Sequence, residues 1–524
     1  MIRREALKNG RVLSELVKMC KAENSLENTY GLLRCLRDAS VWIPMNMKVS
    51  DTDVKKLLAS KVGDTITTAD DIRAKPDILV QQDTGEKVFP VFSQKEQAPA
   101  DYAQHFSWLQ LDFMLVCEWV HADDDLAGIM IDPFTACYFF PKKNIRTIKQ
   151  LESELVVENG RDLNKFKGCL VGGAMGDALG YPVEFRSTME QIREKYGEKG
   201  ITRYDVKDGK ALISDDTQMT MFTANGLLFG YTKLAQNSSM KKPEYYIWKA
   251  YKDWYTAMRR EVPKQWRSWL HEVPGMVAVR GPGHTCTSAL RKWDMGRIDK
   301  PLNDSKGNGG VMRVAPIGLY FDDQHKIAET CMLGATATAA THGHPLGYIA
   351  AAAMVYIINQ LAYSNCVVRL AVSESMRIVQ ILFPHNNEDV EVLLRLLNLA
   401  IDLSEQDIDD CAAIEQIGKG GVAEEALAIA VYCSVKYQDH FEKAIIAAVN
   451  HSGDSDSTGS ITGNILGAYW GYDALPESFQ ADLECLDTIL EIAEDLYHGP
   501  AVLAKPFEEI DDAWKRKYID CRRP

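Results

Sequence analysis

Up to about residue 40 the apolar positions recur at helical spacing, with Leu13, Leu16, Val17 and Cys20 making one face. The texture then changes. VWIPMNM, DILVQQD, KVFPVFS, FMLVCEWV and GIMIDPFTACYFF are short runs rich in β-branched and aromatic residues. Clusters of Asp, Gly, Pro and Lys separate them, a pattern that predicts strands. The charged segment IKQLESELVVENGRDL follows and predicts a linking helix. From Lys165 onward such runs almost vanish, and Ala- and Leu-rich helical patterns take over: CMLGATATAATH, GYIAAAAMVYIINQLAY, DVEVLLRLLNLAIDL, VAEEALAIAVYCSV and FEKAIIAAVNH. The pattern predicts two domains: a small α+β domain over residues 1–150, a linker over 151–163, and a compact all-α domain over 164–524.

Two helical stretches carry glycine every fourth residue: Gly168, Gly172, Gly176 and Gly180, then Gly459, Gly463, Gly467 and Gly471. Glycine in a helix interior costs about 1 kcal/mol relative to alanine. A whole stripe therefore predicts that another backbone comes close, with each of these helices a candidate partner for the other in the domain core. Lys167, Asp177, Thr462 and Asn464 rule out a lipid setting for the pair. IAAAAMVYII, from Ile349 to Ile358, runs into Asn359 and Gln360 and predicts a buried helix. No stretch has the apolar length expected of a membrane span.

The bulk numbers narrow the partners. With 46% hydrophobic and 25% charged residues, the 524-residue chain reads as globular. Its net charge of −14 argues against nonspecific nucleic-acid binding and against docking on an acidic membrane. A polyanionic substrate needs a local device, such as a metal or helix N-termini. The N-terminus lacks the apolar core of a signal peptide, and the 12 cysteines include no Cys-x-x-Cys pair. They are expected to be reduced thiols of a cytoplasmic protein.

Three acidic clusters remain. GGAMGDALGYPVEF holds Asp177 and Glu184, LISDDTQM holds Ser214, Asp215, Asp216 and Thr217, and HSGDSDSTG holds Asp454, Asp456 and Ser457. Taken singly, each is explained by helix capping or a solvated turn. Taken together they supply more oxygens than capping needs, beside tightly packed helices where paired carboxylates repel. Hard oxygen ligands without His or Cys suit Mg²⁺, Mn²⁺ or Ca²⁺, and two such clusters suffice for two ions.

GDALG followed by Glu184, then SDDT, GNGGVMR, ATH and HSGDSDSTG, occur in an order that resembles the ADP-ribosylglycohydrolase family, of the dinitrogenase-reductase-activating type. The resemblance runs from about Asn164 to about Trp514. It implies an all-α domain with two Mg²⁺ or Mn²⁺ ions, hydrolysing the bond between ADP-ribose and a modified side chain. By the same resemblance Ser214, Asp215, Asp216, Asp454, Asp456 and Ser457 hold the metals, and Glu184 and Asp456 are the catalytic residues. Gly307, Asn308, Gly309, Gly310, Met312 and Arg313 lie along the substrate, and His342 lines the ADP-ribose pocket. ADP-ribosyl-arginine is the favoured linkage, with serine or another O-linkage as the alternative. A regulatory or immunity protein that binds an ADP-ribosyltransferase or an ADP-ribosylated partner, and a catalytically dead ADP-ribose reader, are the rivals from other classes.

Several residues have plainer readings beside these. His342 also fits a helix C-terminal residue facing the dipole, and Asp177 fits a brace for its neighbours. His344 reads as a turn residue, Glu424 and Glu425 as an acidic first helical turn, Asp123 to Asp125 as a solvated turn, and Trp248, Trp254, Trp266 and Trp269 as helix packing. The N-terminal segments, ending on Asp132-Pro133, are similar to the SseB-type domain of bacterial proteins, which implies a bacterial source and no chemistry.

Overall fold

In the computed structural model of the chain, residues 10–23, 25–48, 73–81, 83–123, 125–149, 160–185, 188–236, 241–364 and 366–523 are described. Contacts divide the chain into two units, 1–159 and 160–524. Residues 150–159 of the expected linking helix lie outside the described residues.

The first unit opens with two helices, α1 (Arg11–Ala22) and α2 (Leu26–Asp38). Leu13, Val17 and Cys20 are buried on the face that the periodicity picks out. Strands β1 (Ser40–Lys48), β2 (Arg73–Pro76), β3 (Leu79–Val80), β4 (Lys87–Val91) and β5 (Ser107–Asp112) follow. Helix α3 (Phe113–Ala122) and strands β6 (Leu126–Ile131) and β7 (Tyr138–Pro141) follow, and the described part of the unit ends on a short helix, Ile145–Lys149. One sheet has the antiparallel order β2-β1-β5, the other the order β3-β4-β6-β7 with only the β4–β6 pair parallel.

FMLVCEWV, expected as a strand, is helix α3. A continuous apolar run carries no period, so residue type alone decides it wrongly. The burial is helical: Phe113, Val116, Cys117 and Val120 face inward at spacings of three, four and seven. The acids Asp123 and Asp125 are exposed, and Lys87 pairs with Asp125 at 3.0 Å.

The second unit is helical, and its described β pairs are isolated bridges. The helices that matter for the site are α4 (Leu163–Gly180), α5 (Asp215–Gln236), α6 (Ile327–Ala339), α7 (Pro345–Tyr363), α8 (Ala423–Lys436) and α9 (Ser455–Trp470). The two glycine stripes pack against each other, antiparallel. A Cβ added at Gly176 would lie 1.9 Å from the Gly459 carbonyl oxygen, and one at Gly463 would lie 1.9 Å from that of Gly172. At the far end Gly180 abuts the Ser455 carbonyl, where an added Cβ would come to 2.3 Å. Gly471 departs from the expectation of a continuous stripe. It stands at φ 81°, just past the last helical residue, and ends α9.

Helix α7 corrects the reading that no stretch is long enough for a membrane span. Its 19 residues meet the length and hydropathy of one, yet 83% of the window is buried inside the unit. Trp254 and Trp269 are fully buried and Trp248 nearly so, in the packing role expected of them. Trp266 stacks on His271, with centroids 4.1 Å apart.

Candidate active site

The acids of three separate sequence clusters meet because the glycine stripes bring the end of α4 onto the start of α9. Glu184 follows the short 3₁₀ turn Tyr181–Val183 that ends α4. Asp454 is the residue before α9 and Asp456 lies in its first turn. One carboxylate oxygen from each of Glu184, Asp454 and Asp456 falls within 4.8 Å of the others. Asp215 and Asp216 begin helix α5. A Cβ added at Gly281 would stand 3.2 Å from Glu184 Oε2 and 3.5 Å from Asp215 Oδ1, so both carboxylates border the same bare backbone. Two helix N-termini thus face one acidic centre, and their dipoles favour negative charge there.

Asp177 is a brace. Its carboxylate accepts from the Ser214 amide at 3.1 and 3.0 Å and from the Thr217 amide at 3.1 Å, and it also accepts from the Thr217 hydroxyl. Fully buried, it pins the start of α5 to α4. Ser214 has a capping role as well, since its Oγ accepts from the Asp216 amide at 3.2 Å.

Asp215, Asp216, Asp454 and Asp456 are each no more than 5% exposed. Burial first, then the carboxylates of Asp216 and Asp454, hold Asp456 well above the ordinary range. Burial, with Asp177 and Asp215 beside it, does the same to Asp216. Asp215 is raised mainly by burial, Asp454 likewise, and burial lifts Asp177 to about 6. Among the described residues no Lys or Arg forms an ion pair with these five aspartates. Asp216 Oδ2 is buried without any hydrogen-bond partner. An unpaired buried carboxylate is costly, and a cation among these oxygens removes that cost. The donor set is all oxygen, as a hard divalent ion requires. Glu184, Asp454 and Asp456 stand close enough together to hold one, and Asp215 and Asp216 border the same cavity.

Stability should report this. A carboxyl whose folded pKa exceeds its unfolded value takes up a proton on folding, so its penalty is complete above the folded pKa and relieved as pH falls. The cation-free protein should therefore melt at higher temperature as pH is lowered from about 7 to about 5, where ordinary carboxylates stay ionised. Saturating Mg²⁺ should raise the melting temperature most at pH 7 and flatten the slope. Equal slopes with EDTA and with Mg²⁺, in a thermal-shift series, would count against a cation site.

A cavity of about 210 Å³ opens beside the acids. Glu184, Asp215, Asp216, Asp454 and Ser457 line one side; Gly307, Asn308, Gly309, Met312 and His342 line another. Asp456 and Ser214 sit beneath this surface. Gly310 and Arg313, expected along the substrate, are not in the lining either. Gly310 is pressed against α6, where a Cβ would meet Thr338 Cγ2 at 2.2 Å. Arg313 is fully buried, its guanidinium 4.1 Å over the Tyr251 ring.

Asn308 ties the substrate loop to the last acidic motif. Its Nδ2 donates to Asp454 Oδ2 at 2.8 Å and to the Gly420 carbonyl at 2.7 Å. The loop at Lys419 and Gly420 is held in turn by Glu425, which accepts both amides at 2.8 and 3.2 Å. Glu424 is buried in an ion pair with Lys306. The two glutamates do form the first turn of α8, and they shape the cavity wall from behind. His342 lines the cavity with its ring held neutral: burial first, then Arg313, push its pKa down to about 3. A neutral ring gains little from the helix dipole. His344 accepts from the Leu346 amide at 3.1 Å and caps α7.

The sequence reading missed the segment Arg280–Cys286. Gly281, Gly283, His284, Thr285 and Cys286 line the cavity, as do Phe185 and Gly421. The Gly283 amide donates to Asp215 Oδ2 at 3.2 Å, and the Asp215 amide donates to the Arg280 carbonyl at 3.1 Å. Arg280 is itself clamped by Glu484. The available signal was Gly-Pro-Gly, with Gly281 at φ 63°. A larger apolar cavity of about 990 Å³, bordered by Tyr231, Tyr320 and Phe321, contains none of the acids of the centre.

Comparison with known proteins bears on both units. The sequence model described as ADP-ribosylglycohydrolase matches residues 158–504, and that of the SseB protein N-terminal domain matches residues 13–147. The chain is similar to ADP-ribosylhydrolase ARH3 of Bos taurus, 24% identical over 381 residues, covering 64% of this chain and 93% of that one. It is similar to ADP-ribosyl-[dinitrogen reductase] glycohydrolase of Rhodospirillum rubrum, 24% identical over 323 residues, covering 60% and 89%. It is also similar to ADP-ribosylarginine hydrolase Tri1 of Serratia proteamaculans, 24% identical over 347 residues, covering 66% and 81%.

Proposed function

The chain belongs to the ADP-ribosylglycohydrolase family, and from that premise we propose that it hydrolyses ADP-ribose from a modified protein side chain in a reaction that needs divalent cations, two Mg²⁺ in the first instance and Mn²⁺ as the substitute. The observation that carries this reading is the set of buried, unpaired carboxylates with the orphaned Asp216 Oδ2, beside a cavity wide enough for a ribose. Cations bound by these oxygens supply charge that orients ribose hydroxyls and makes a water more acidic.

The remaining chemistry belongs to the chain. Water adds to the anomeric carbon, the bond to the side-chain nitrogen or oxygen breaks, and the proton from water ends on the leaving group. Glu184, which lines the cavity, is our candidate to take that proton on a carboxylate oxygen and pass it on. Positive charge develops on the ribose as the bond breaks, and the acidic wall favours it. Gly307 and Gly309 let the ligand approach backbone amides. Arginine is our first choice of linkage. The resemblance of HSGDSDSTG and GDALG to arginine-directed members supports it, as does the name of the Serratia relative.

The test presents ADP-ribosyl-arginine and ADP-ribosyl-serine proteins side by side, with EDTA or with Mg²⁺. Release from the arginine conjugate only with Mg²⁺ supports the whole reading. Release from serine alone moves the linkage and keeps the enzyme class, and full turnover in EDTA rejects the cation requirement. Glu184→Gln should bind ADP-ribose within about threefold of wild type while kcat falls about 10²- to 10⁴-fold, the usual weight of a general base. Unchanged turnover in this variant would leave Glu184 as a helix-end acid without a part in the reaction.

A further inference from the structure

Arg313 is a buried cation with no carboxylate partner among the described residues. Its Nη1 touches two sulfurs, of Met219 and Cys286, each at 3.5 Å. Its Nη2 makes a stronger contact, donating to Thr341 Oγ1 at 2.6 Å. That oxygen also stands 2.9 Å from His342 Nδ1. The direction of this second hydrogen bond follows from counting protons. Thr341 has one hydroxyl hydrogen and two candidate acceptors, His342 Nδ1 at 2.9 Å and the Thr338 carbonyl at 3.4 Å. The Thr338 carbonyl already accepts the Thr341 amide at 3.0 Å and the His342 amide at 2.9 Å. Both of its lone pairs are therefore taken. The hydroxyl hydrogen goes to Nδ1, and the ring hydrogen of His342 must then sit on Nε2.

Nε2 is the atom that meets the substrate loop. Cβ atoms added at Gly307 and Gly309 would lie 3.5 and 3.3 Å from it, and the bare glycines leave that space to a ligand. We propose that Arg313 and Thr341 are positioning residues that hold His342 as its Nε2–H tautomer, so that Nε2 donates a hydrogen bond to an oxygen of ADP-ribose in the cavity. The proposal rests on the function proposed above. It gives Arg313 a part in recognition without contact: its charge polarises the Thr341 hydroxyl, and each hydrogen bond in such a chain strengthens the next. The depressed pKa of the ring agrees, because a ring that stays neutral in the working range has its tautomer set by its hydrogen-bond partner, here the Thr341 hydroxyl.

The experiment labels the full-length protein with ¹⁵N-histidine and reads the tautomer of His342 from its two ring-nitrogen shifts, assigned with His342→Gln. ADP-ribose affinity is measured in parallel by calorimetry. Wild type should show the Nε2–H pattern. Thr341→Val keeps the shape and removes the hydroxyl, so Nδ1 loses its donor; the pattern should shift towards the other tautomer, and ADP-ribose should bind about 10-fold more weakly. Thr341→Ser should restore both. An Nδ1–H pattern in wild type overturns the proposal, as does a Thr341→Val protein with unchanged tautomer and affinity. Should wild type bind no ADP-ribose, the proposed function falls, while the ring-nitrogen pattern still judges the relay by itself.

Discussion

Asp456→Asn should lower ADP-ribose release by more than about 100-fold, because even the residues behind a metal's ligands carry factors of 10 to 100. The same substitution should raise the melting temperature of the cation-free protein at pH 7. Asp456 is buried, and its carboxylate is held well above the ordinary range by burial and by Asp216 and Asp454. Replacing it with the isosteric amide removes the repulsion and keeps an oxygen for the Ser457 amide, now 2.9 Å from Oδ1. Loss of activity with gain of stability separates a charge held for function from one held for folding. The measurements are Mg²⁺-dependent turnover and a thermal melt in EDTA. A variant that keeps wild-type turnover, or that melts lower in EDTA, would mean that Asp456 supports the fold.

Gly176→Ala should do the opposite, unfolding the second unit at markedly lower denaturant while the first unit is untouched. On an exposed helix this change stabilises by about 1 kcal/mol. Here the new methyl would sit 1.9 Å from the Gly459 carbonyl and 2.3 Å from its carbon. Backbone cannot step aside as a flexible side chain can, so α4 and α9 must separate, at a cost of about 3 kcal/mol or more. Gly31→Ala in α2, where a Cβ meets only Leu16 Cδ2 at 3.8 Å, is the control and should stabilise. Denaturation followed by tryptophan fluorescence reads the second unit through the buried Trp254 and Trp269 and the first through the half-buried Trp42 and Trp108. Because this contact sets the end of α4, with Glu184 just beyond it, against the start of α9, with Asp454 and Asp456, the Gly176 variant should also lose cation affinity. Equal midpoints for Gly176→Ala and wild type would show that the helices are not in backbone contact.

The two effects mark where sequence reading works at this site. A hydrophobic period reports what one element buries, and a glycine stripe reports that something must come close, because each carries its physical cause in a short stretch of chain. The helical texture after Lys165, the close approach of the striped helices and the oxygen-rich character of SDDT and DSDS were legible in that way. So was the bracing role of Asp177, which the fold realises through the amides of Ser214 and Thr217.

Other features depended on which buried faces meet, and no single stretch of chain holds that information. FMLVCEWV has no period, and only its packing makes it helix α3. Gly310 and Arg313 belong to one motif with Gly307 and Asn308, but the 3₁₀ turn Asn308–Arg313 rotates successive side chains away from one another. Asn308 and Met312 thus reach the cavity, while Arg313 points into the core beneath it. Arg280–Cys286 carries no acidic pattern, and it joins the site because Gly283 hydrogen-bonds to Asp215 from 68 residues away. Composition and local spacing determined the kinds of atoms available to this site. Long-range packing of α4 on α9 decided which of them share it, because the energy of a buried charge depends on every neighbour that tertiary structure brings within a few ångströms.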